Sequence, residues 1–429
     1  MKKINGAKRG LKGTLLLPGD KSISHRAVIL GSLAVGVTKI KGFLTGRDCL
    51  NTVKNFQHMG VPIVVNGDKV TIKGVGVNGL QKPSRALDVG NSGTAFRLML
   101  GVLAGQKFIT KLSGDRSIQG RPMKRVTEPL KKMGGKFSGE NAPIIIFPSV
   151  AGMRPIEYQL PIASAQVKSA LLLAGLYANG DVSVIFDFQT RDHTERLFEV
   201  FGIKLIKNKN KITLPKSASR KFKGREIFVP TDISAAAFFI VAALIVPGSK
   251  LTLKNVGINP TRTGLLEALG KMNAKIIIKN KRVLYGEPLA DLVIESSTLK
   301  AAEFSGGIVV KMIDEIPVLA VAAAFAQGTT VIKDAAELRV KESDRIKTVC
   351  EMLERFDIKY VEHQDGLEIT GDPKRTIAKK AAVSSHHDHR IAMSAMILGL
   401  RNGKETTITD TNCMDTSFPG FMDYLKKVL

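Results

Sequence analysis

The chain has 429 residues, and a chain of that length is expected to form two or three domains with sizeable cores. Lysine and arginine outnumber aspartate and glutamate by 64 to 38, which gives a formal net charge of +26. The longest apolar run, Ala235–Val246, is too short to span a membrane, and the N-terminal run Leu15–Leu17 is too short for a signal peptide. The three cysteines have no CxxC spacing, which argues against a zinc site and a disulfide framework. We therefore expect a soluble protein of the reducing cytoplasm.

The positive charge has two interpretations, a surface for nucleic acid or membrane and a site for anionic metabolites. Nucleic-acid surfaces usually combine clustered basic residues with aromatic side chains on which bases stack. In the most lysine-rich stretch, Lys204–Arg225, the cations are scattered and aromatic residues are few. The pattern therefore favours lysines that solvate the surface, together with a smaller set that binds anions.

Six segments of about 70 residues repeat one plan along the chain. A polar turn opens an Ala/Leu-rich helix, a glycine closes it, a Thr/Val/Ile strand follows, and a second, amphipathic helix leads into further strand. The first helices are expected to start near Asp20, Asn91, Ala163, Asp232, Asp314 and Asp388, and to end at Gly36, Gly105, Gly180, Gly248, Gly328 and Gly403.

Helices as apolar as "SAAAFFIVAALIV" must be buried nearly all round, so we expect helices inside and sheets outside. Six such modules are too many for one core. The sequence therefore predicts an α/β protein with two similar domains of three modules each. One is an inserted domain of residues 19–234, and the other is formed by residues 1–18 and 235–429.

The stretch "LPGDKSISHRA" places two cations and two hydroxyls at the start of the first buried helix. Helix N-termini carry partial positive charge and free N–H groups, so they collect anions. Capping alone would require no basic residue at this position. We therefore interpret Lys21, Ser22 and Arg26 as an anion-binding cradle.

Two further motifs lie in the second module. In "DVGNSGTAFRLM" the glycines allow a ligand to approach the backbone closely, which taken alone is a weak signal. "GDRSIQGRPMKR" is a dense basic patch whose arginines suit carboxylate or phosphate, although Lys124 and Arg125 equally fit a solvent-exposed face.

In the third module, "ASAQVKSALLLAGL" places Ser164, Gln166 and Lys168 at the start of a very apolar helix, where Gln166 could bind a hydroxyl-bearing ligand. "TRDHTERL" follows. There Arg191 is expected to face a ligand, whereas Glu195 and Arg196 are expected to pair on a helix surface.

Polar motifs also open the helices of the second half. The carboxylates of "MIDEIP" are acid–base candidates only if they face a site, and otherwise cap the helix. The alternating charges of "LRVKESDRI" are typical of a salt-bridged surface. The histidines of "SSHHDHRIAM" do not lie with a carboxylate on one helical face, which argues against a metal site.

Taken together and in order, "PGDKSISHR", "GNSGTAFR", "RPM", "SAQVKSALLLAGL", "RDHTER", "RVKESDR" and "DHRIAM" make the chain similar, over nearly its whole length, to the 5-enolpyruvylshikimate-3-phosphate synthases. These are also called 3-phosphoshikimate 1-carboxyvinyltransferases, and "SAQVK" and "RDHTER" resemble the second of the family's two sequence classes. The resemblance implies the enolpyruvyl transferase fold, an inside-out α/β barrel in which each domain holds three βαβαββ units. The active site is then expected in the cleft between the domains.

The resemblance also implies the reaction. Phosphoenolpyruvate donates its enolpyruvyl group to the 5-hydroxyl of shikimate 3-phosphate through a tetrahedral intermediate, and phosphate is released, on the pathway to chorismate and the aromatic amino acids. It implies a monomer whose partners are these two small substrates, with neither metal nor organic cofactor. Two alternatives are transfer to UDP-N-acetylglucosamine, for which the expected loop cysteine is missing around Arg116–Arg121, and a basic nucleic-acid-binding protein.

Residue roles follow from the resemblance by matching motifs. The residues implied to bind shikimate 3-phosphate are Lys21, Ser22, Arg26, Ser164, Ala165, Gln166, Arg191, Asp314 and Lys341. Those implied to bind phosphoenolpyruvate are Lys21, Asn91, Gly93, Thr94, Arg121, Gln166, Glu342, Arg345, His389 and Arg390. Asp314 is the implied base for the hydroxyl, Glu342 handles the proton at the methylene carbon, and Lys21 assists both substrates.

Overall fold

The computed structural model of the chain describes residues 1–149, 151–218 and 220–429. These residues form two compact units. Unit 1 comprises Met1–Asp20, Pro230–Val283 and Pro288–Leu429, and unit 2 comprises Lys21–Val229 and Leu284–Glu287. Each unit has its own hydrophobic core.

In the described part of the chain, each apolar helix is followed by one or two further helices. The helices are α1 (Lys21–Leu33), α2 (Arg47–His58), α3 (Gly93–Ala104), α4 (Arg116–Gln119), α5 (Lys124–Lys132), α6 (Ala165–Gly175), α7 (His193–Val200), α8 (Ile233–Ile245), α9 (Gly264–Lys271), α10 (Gly307–Met312), α11 (Ile316–Ala324), α12 (Arg345–Glu354), α13 (His389–Gly399) and α14 (Phe421–Lys426). Two 3₁₀ turns cover Ala336–Val340 and Thr411–Thr416.

The strands are short. They are β1 (Lys2–Ile4), β2 (Lys12–Leu15), β3 (Val35–Lys41), β4 (Ile63–Asn66), β5 (Lys69–Val75), β6 (Leu87–Asp88), β7 (Thr110–Ser113), β8 (Lys136–Ser138), β9 (Ile144–Phe147), β10 (Ile156–Gln159), β11 (Val182–Ile185), β12 (Ile206–Asn208), β13 (Lys211–Leu214), β14 (Glu226–Phe228), β15 (Lys250–Gly257), β16 (Lys275–Leu284), β17 (Glu287–Glu295), β18 (Leu299–Lys300), β19 (Glu303–Phe304), β20 (Ala326–Ile332), β21 (Tyr360–His363), β22 (Gly366–Gly371), β23 (Ala381–Ser384) and β24 (Thr406–Thr409).

The six apolar helices form in the segments that the repeat predicts, but only α3 ends at its predicted glycine, and the other five end three to five residues earlier. The apolar helices are α1, α3 and α6 in unit 2, and α8, α11 and α13 in unit 1. In α8 and α11 every residue is buried, which agrees with their lack of a polar face. Polar caps mark several starts: Ser92, Ser164, Asp232 and Asp388 each accept a backbone N–H from the first turn of their helix.

In the part of the chain that the structure describes, six sheets accompany the six apolar helices. In the second module, β6 pairs with β7 in parallel, β7 with β9 antiparallel, and β9 with β8 antiparallel. The third module repeats this order with β10, β11, β13 and β12. Since a helix joins each parallel pair and a second helix precedes the antiparallel hairpin, these modules are βαβαββ units.

Three sheets take a strand from a distant part of the chain. In unit 2, β14 pairs in parallel with β3, although almost 200 residues separate them. In unit 1, β2 pairs in parallel with β15, and β1 pairs antiparallel with β24. The strands that open and close each unit in sequence are thus built into its sheets.

The chain passes between the units at more places than the sequence predicts. The main passages lie at Asp20–Lys21 and Val229–Pro230, whereas the sequence places them after residues 18 and 234. The hairpin tip Leu284–Glu287 also belongs to unit 2, although the strands on either side, β16 and β17, lie in unit 1. The repeat gives no sign of this excursion, because a hairpin turn looks the same whichever unit it contacts.

Within residues 1–149, 151–218 and 220–429, no helix is both long and apolar enough to cross a membrane.

Candidate active site

In unit 2 the starts of α1, α3 and α6 are joined by side-chain hydrogen bonds. His25 of α1 lies with Nδ1 2.8 Å from Thr52 Oγ1 and Nε2 3.2 Å from Ser92 Oγ, the capping hydroxyl of α3. Gln166, in the first turn of α6, donates from Nε2 to Thr94 Oγ1 of α3 over 3.0 Å. Three helix N-termini, each with partial positive charge, therefore meet in one cluster.

Lys21 is the first residue of α1 and is half-buried. Its ammonium lies 3.1 Å from Asp48 Oδ2, and Asp48 is itself buried on α2. Asp48 has no predicted role, because 27 residues separate it from Lys21 and no local sequence pattern connects the two. Ser22 follows in the same half-buried position at the start of the helix.

Arg26 is almost completely buried and held by its neighbours in unit 2. Its Nε donates to Thr194 Oγ1 over 2.7 Å, its Nη2 to Ser169 Oγ over 2.9 Å, and its Nη1 to the Ser22 carbonyl over 2.9 Å. Thr194 in turn donates to Ser169 Oγ over 2.7 Å. These bonds fix the guanidinium between α1, α6 and α7, so that its direction is set before any ligand arrives.

Gly93 opens α3 beside two arginines. A Cβ at this position would lie 2.9 Å from Arg121 Nη1 and 3.2 Å from Arg97 Nη1. Arg97 also makes a short hydrogen bond to Gln166 Oε1. The structure therefore brings the predicted residues Gly93, Arg121 and Gln166 together, and it adds Arg97, the arginine of "GTAFR", to which the sequence analysis gave no role.

The remaining predicted residues of unit 2 lie at the ends of the same elements. Asn91 is half-buried in the turn before α3, and Ser164 caps α6 by accepting from the Val167 N–H over 3.4 Å. Ala165 is the first residue of α6, and Arg191 is half-buried just before α7.

The prediction that Glu195 and Arg196 pair on a helix surface is wrong. Glu195 is buried, and its Oε1 lies 2.5 Å from the ammonium of Lys168, which is 2% exposed. Arg196 instead pairs with Asp192, with 2.9 Å between Nε and Oδ2. Because α7 packs with its charged first turn inward, Lys168 forms a buried ion pair with Glu195.

In unit 1, one arginine connects three carboxylates. Arg345, at the start of α12, is 1% exposed. Its Nε lies 2.8 Å from Asp388 Oδ2, its Nη1 3.0 Å from Asp314 Oδ1, and its Nη2 2.6 Å from Glu342 Oε2. The motif "RVKESDR" therefore divides into two parts: Arg339 forms partly exposed ion pairs with Asp344 and Glu362, as predicted, whereas Glu342 and Arg345 lie in a polar network with Asp314.

The network controls protonation. Burial works to lower the pKa of Arg345, but Asp388, Glu342 and Asp314 together outweigh it and raise that pKa above its usual range. Burial works to raise the pKa of Asp388, but the Arg345 cation outweighs it and lowers that pKa. Arg345 therefore stays cationic and Asp388 anionic. Asp388 also caps α13, because its carboxylate accepts from the Arg390 N–H over 2.8 Å.

The other predicted residues of unit 1 surround this centre. Arg390 is buried in the first turn of α13, and its Nη1 donates to the Asp314 carbonyl over 2.7 Å. His389 is the first residue of α13 and is also buried. Lys341 is half-buried, and desolvation lowers its pKa from the usual value.

A second buried cation in this unit has no counterpart in the sequence analysis. Arg262 contacts Asp20 Oδ2 at 3.0 Å, Asp232 Oδ1 at 3.4 Å and Ser234 Oγ at 2.7 Å. Ser234 makes a short hydrogen bond to Glu315, the neighbour of Asp314. The starts of α8 and α11 are thereby joined to Asp20, the last residue of unit 1 before the chain enters unit 2.

In the part of the chain that the structure describes, no three His, Cys, Asp or Glu side chains come together in a way that could hold a metal ion. The histidines before α13 do not converge: His386 pairs with Glu351 at 2.8 Å, and His389 is buried in the helix start.

Comparison with known proteins identifies the family. The family model described as EPSP synthase (3-phosphoshikimate 1-carboxyvinyltransferase) matches residues 6–425. The chain belongs to the EPSP synthase family. EPSP stands for the 5-enolpyruvylshikimate 3-phosphate of the resemblance described above.

Individual EPSP synthases are similar over nearly their whole length. The 3-phosphoshikimate 1-carboxyvinyltransferase of Citrifermentans bemidjiense is 48% identical over 425 residues, which cover 98% of this chain and 97% of the relative. That of Bacillus subtilis is 48% identical over 422 residues, 97% of each chain. The solved EPSP synthase of Acinetobacter baumannii superposes with a TM-score of 0.88 at 44% identity and covers 99% of this chain and 97% of its own.

The fold extends to a more distant enolpyruvyl transferase. NikO of Streptomyces tendae superposes with a TM-score of 0.77 over 99% of this chain and 96% of its own, although only 16% of residues are identical. This comparison, the two units and their βαβαββ modules confirm the fold class predicted from the sequence.

Proposed function

We propose that the two polar clusters, one at the helix starts of each unit, together carry out the reaction of the EPSP synthase family. The chain transfers the enolpyruvyl group of phosphoenolpyruvate to the 5-hydroxyl of shikimate 3-phosphate and releases phosphate. This step belongs to the shikimate pathway, which leads to chorismate and the aromatic amino acids.

The observation that supports this assignment is the pair of carboxylates on Arg345. Asp314 and Glu342 approach the same guanidinium at 3.0 and 2.6 Å, so two potential proton carriers lie close together beside a permanent cation. The reaction needs two such groups. One removes the proton of the attacking hydroxyl, and the other delivers and later removes the proton at the methylene carbon.

Asp314 is the proposed base for the hydroxyl, and Glu342 is the proposed proton carrier at the methylene carbon. Attack of the hydroxyl oxygen on the central carbon of phosphoenolpyruvate forms the carbon–oxygen bond as the methylene carbon gains a proton. This gives the tetrahedral intermediate. Loss of a methyl proton then re-forms the double bond, and the bond between the central carbon and the bridging phosphate oxygen breaks. Lys21, whose ammonium lies 3.1 Å from Asp48 Oδ2, is proposed to stabilise the phosphate that leaves.

The substrates together bring two phosphates and two carboxylates, and their mutual repulsion requires cations. The proposed cations are Lys21, Arg26, Arg121, Lys341, Arg345 and Arg390. Arg345 already contacts three carboxylates, and we propose that a substrate carboxylate binds it in exchange for one of them. We expect this exchange to release Asp314 or Glu342 for proton transfer.

In the other assignments, each substrate is held by residues of both units. Ser22, Arg26, Ser164, Ala165, Gln166 and Arg191 are proposed to hold shikimate 3-phosphate together with Asp314 and Lys341. Asn91, Gly93, Thr94 and Arg121 are proposed to hold phosphoenolpyruvate together with Glu342, Arg345, His389 and Arg390. We further propose that the enzyme is a cytoplasmic monomer that does not bind nucleic acid and needs no cofactor.

A phosphate-release assay tests the function and the base together. We expect phosphate release only when both substrates are present, and no release when UDP-N-acetylglucosamine replaces shikimate 3-phosphate. Asp314→Asn should lower kcat about 100-fold or more and change either KM by less than about threefold, because the group acts in the transition state. Asp357→Asn, which alters an exposed carboxylate of unit 1 paired with Lys379, is the matched control. An active Asp314→Asn enzyme would overturn the assignment of the base, and an inactive wild type would overturn the function.

A further inference from the structure

The tip of the β16–β17 hairpin makes its described contacts with unit 2. Tyr285 and Gly286 form a two-residue turn with φ of 47° and 79°, the geometry of the tight turns that join twisted antiparallel strands. Glu287, at the end of this turn, is 2% exposed. A buried carboxylate at a hairpin tip needs a specific partner, because desolvation of an unpaired charge is costly.

That partner lies at the start of α7. Glu287 Oε1 is 2.6 Å from His193 Nδ1, and both side chains are 2% exposed. A second contact follows one turn later, where Arg196 Nη1 donates to the Gly286 carbonyl over 2.8 Å. A third is steric: a Cβ at Gly286 would lie 3.1 Å from Val200 Cγ2. The tip therefore packs along the length of α7 and fixes both its position and its rotation.

The first turn of α7 holds two cations of the substrate region. Thr194, next to His193, accepts from Arg26 Nε over 2.7 Å, and Glu195 lies 2.5 Å from the Lys168 ammonium. Arg191 immediately precedes the helix. Of the contacts described, those that orient Arg26 from α7 pass through Thr194. A rotation of α7 would therefore move Arg26 away from the direction in which it is held.

We propose that Glu287 is a positioning residue for the binding of shikimate 3-phosphate. It acts through His193 to set the first turn of α7, which orients Arg26 through Thr194 and places Arg191 directly before the helix. The inference rests on the proposed function, since it assumes that Arg26 and Arg191 face shikimate 3-phosphate. Glu287 itself touches neither substrate nor the reacting atoms.

The test compares two changes at this position. Glu287→Ala removes the acceptor and should raise the KM for shikimate 3-phosphate, and its Kd by calorimetry, about tenfold, while the KM for phosphoenolpyruvate stays within twofold. Glu287→Gln keeps an oxygen that can accept from His193 Nδ1, and both constants should stay near wild type. Tyr285→Phe is the matched control in the same tip, because it removes only an exposed contact to Glu226.

A purely structural role would give a different pattern. Equal rises in both KM values, or a lower unfolding temperature with unchanged KM values, would overturn the proposal. If Glu287→Ala fails to fold, Arg196→Gln removes the second link together with the Arg196–Asp192 ion pair, and we expect it to raise the KM for shikimate 3-phosphate about threefold. No rise in that variant would then overturn the proposal. A wild-type enzyme that releases no phosphate would refute the proposed function, whereas an active wild type with an unchanged Glu287→Ala constant refutes only the positioning role.

Discussion

Arg345 and Asp388 form an almost completely buried ion pair in unit 1, with 2.8 Å between Nε and Oδ2 and with exposed fractions of 1% and 0% for the two side chains. The pair joins the start of α12 to the cap of α13, and it leaves the two terminal nitrogens of Arg345 directed at Glu342 and Asp314. The ion pair thus determines where both proposed proton carriers are held.

Removal of the Arg345 charge should therefore affect both stability and catalysis. Arg345→Gln leaves three carboxylates around a neutral side chain, and we expect the free energy of unfolding to fall by about 3–5 kcal/mol and activity to be lost. Lys347→Gln, an exposed change on the same helix, should alter neither quantity by a measurable amount. Urea titration and phosphate release measure the two effects. An Arg345→Gln protein of wild-type stability would show that the network is not a structural unit.

Arg121 gives a test of substrate assignment. Arg121→Ala removes a buried guanidinium beside Gly93, and we expect the KM for phosphoenolpyruvate to rise at least tenfold, since a charge-assisted hydrogen bond is lost. The KM for shikimate 3-phosphate should change much less. Arg116→Ala, an exposed arginine in the same basic stretch, provides the comparison. Unchanged phosphoenolpyruvate kinetics in Arg121→Ala would contradict the assignment.

Two glycines of α3 should respond to alanine in opposite ways. In Gly93→Ala the new methyl meets the ends of Arg121 and Arg97, which can move, so the fold should persist while the KM for phosphoenolpyruvate rises. In Gly101→Ala the methyl would lie 2.2 Å from the Ala170 carbonyl oxygen of α6, where the backbone must shift. We expect the thermal unfolding temperature to drop in the second variant only. Equal stability losses in the two would show that Gly93 is a packing residue.

Asp291 should make part of the stability of unit 1 sensitive to acid. Burial works to raise its pKa, but Lys254, 2.5 Å away, together with the Asn255 N–H and Asn280, lowers it to about 2 from 3.8. A lowered pKa contributes stability that is complete well above pH 4 and is lost as the pH falls toward 2, and a shift of this size corresponds to about 2 kcal/mol.

The measurement is the difference in unfolding free energy between wild type and Asp291→Asn. We expect this difference to be about 1 kcal/mol smaller at pH 3 than at pH 6, because protonation removes the wild-type advantage. Glu295→Gln, a more exposed carboxylate in the same sheet, serves as the control. A difference that does not change with pH would mean that the ion pair does not set the pKa of Asp291.

The sequence predicted the helices well and the sheets less completely. Continuous apolar runs and capping residues predict the buried helices, and both signals are local in sequence. No local pattern in β14 or β3 indicates that the two strands pair, because any short Val/Ile strand could occupy the sheet edge beside β3. The tip Leu284–Glu287 was missed for the same reason.

In the candidate site, sequence reasoning found the residues at helix starts and missed those that hold them. No spacing rule selects Asp48, Arg97 or Arg262. Their hydrogen-bond partners are distant in sequence, and Arg97 itself lies inside the apolar helix α3. Glu195 was placed on the wrong face because an adjacent Glu–Arg pair is typical of an exposed helix. In the structure the first turn of α7 instead faces Lys168. This orientation depends on long-range packing, which the Glu–Arg pair alone does not indicate.

The pairings between strands that are distant in sequence impose an order on folding during synthesis. β1 and β2 leave the ribosome first, yet β2 must wait for Lys250–Gly257 and β1 for Thr406–Thr409 before either has a neighbour. Once Val229 has been made, unit 2 lacks only the hairpin tip Leu284–Glu287, so most of it can fold while unit 1 is still being translated. The growing chain therefore carries two unpaired strands until Gly257 is made, and slowed translation before that point should expose both to aggregation or to chaperones, whereas slowed translation near residue 400 should expose β1 alone.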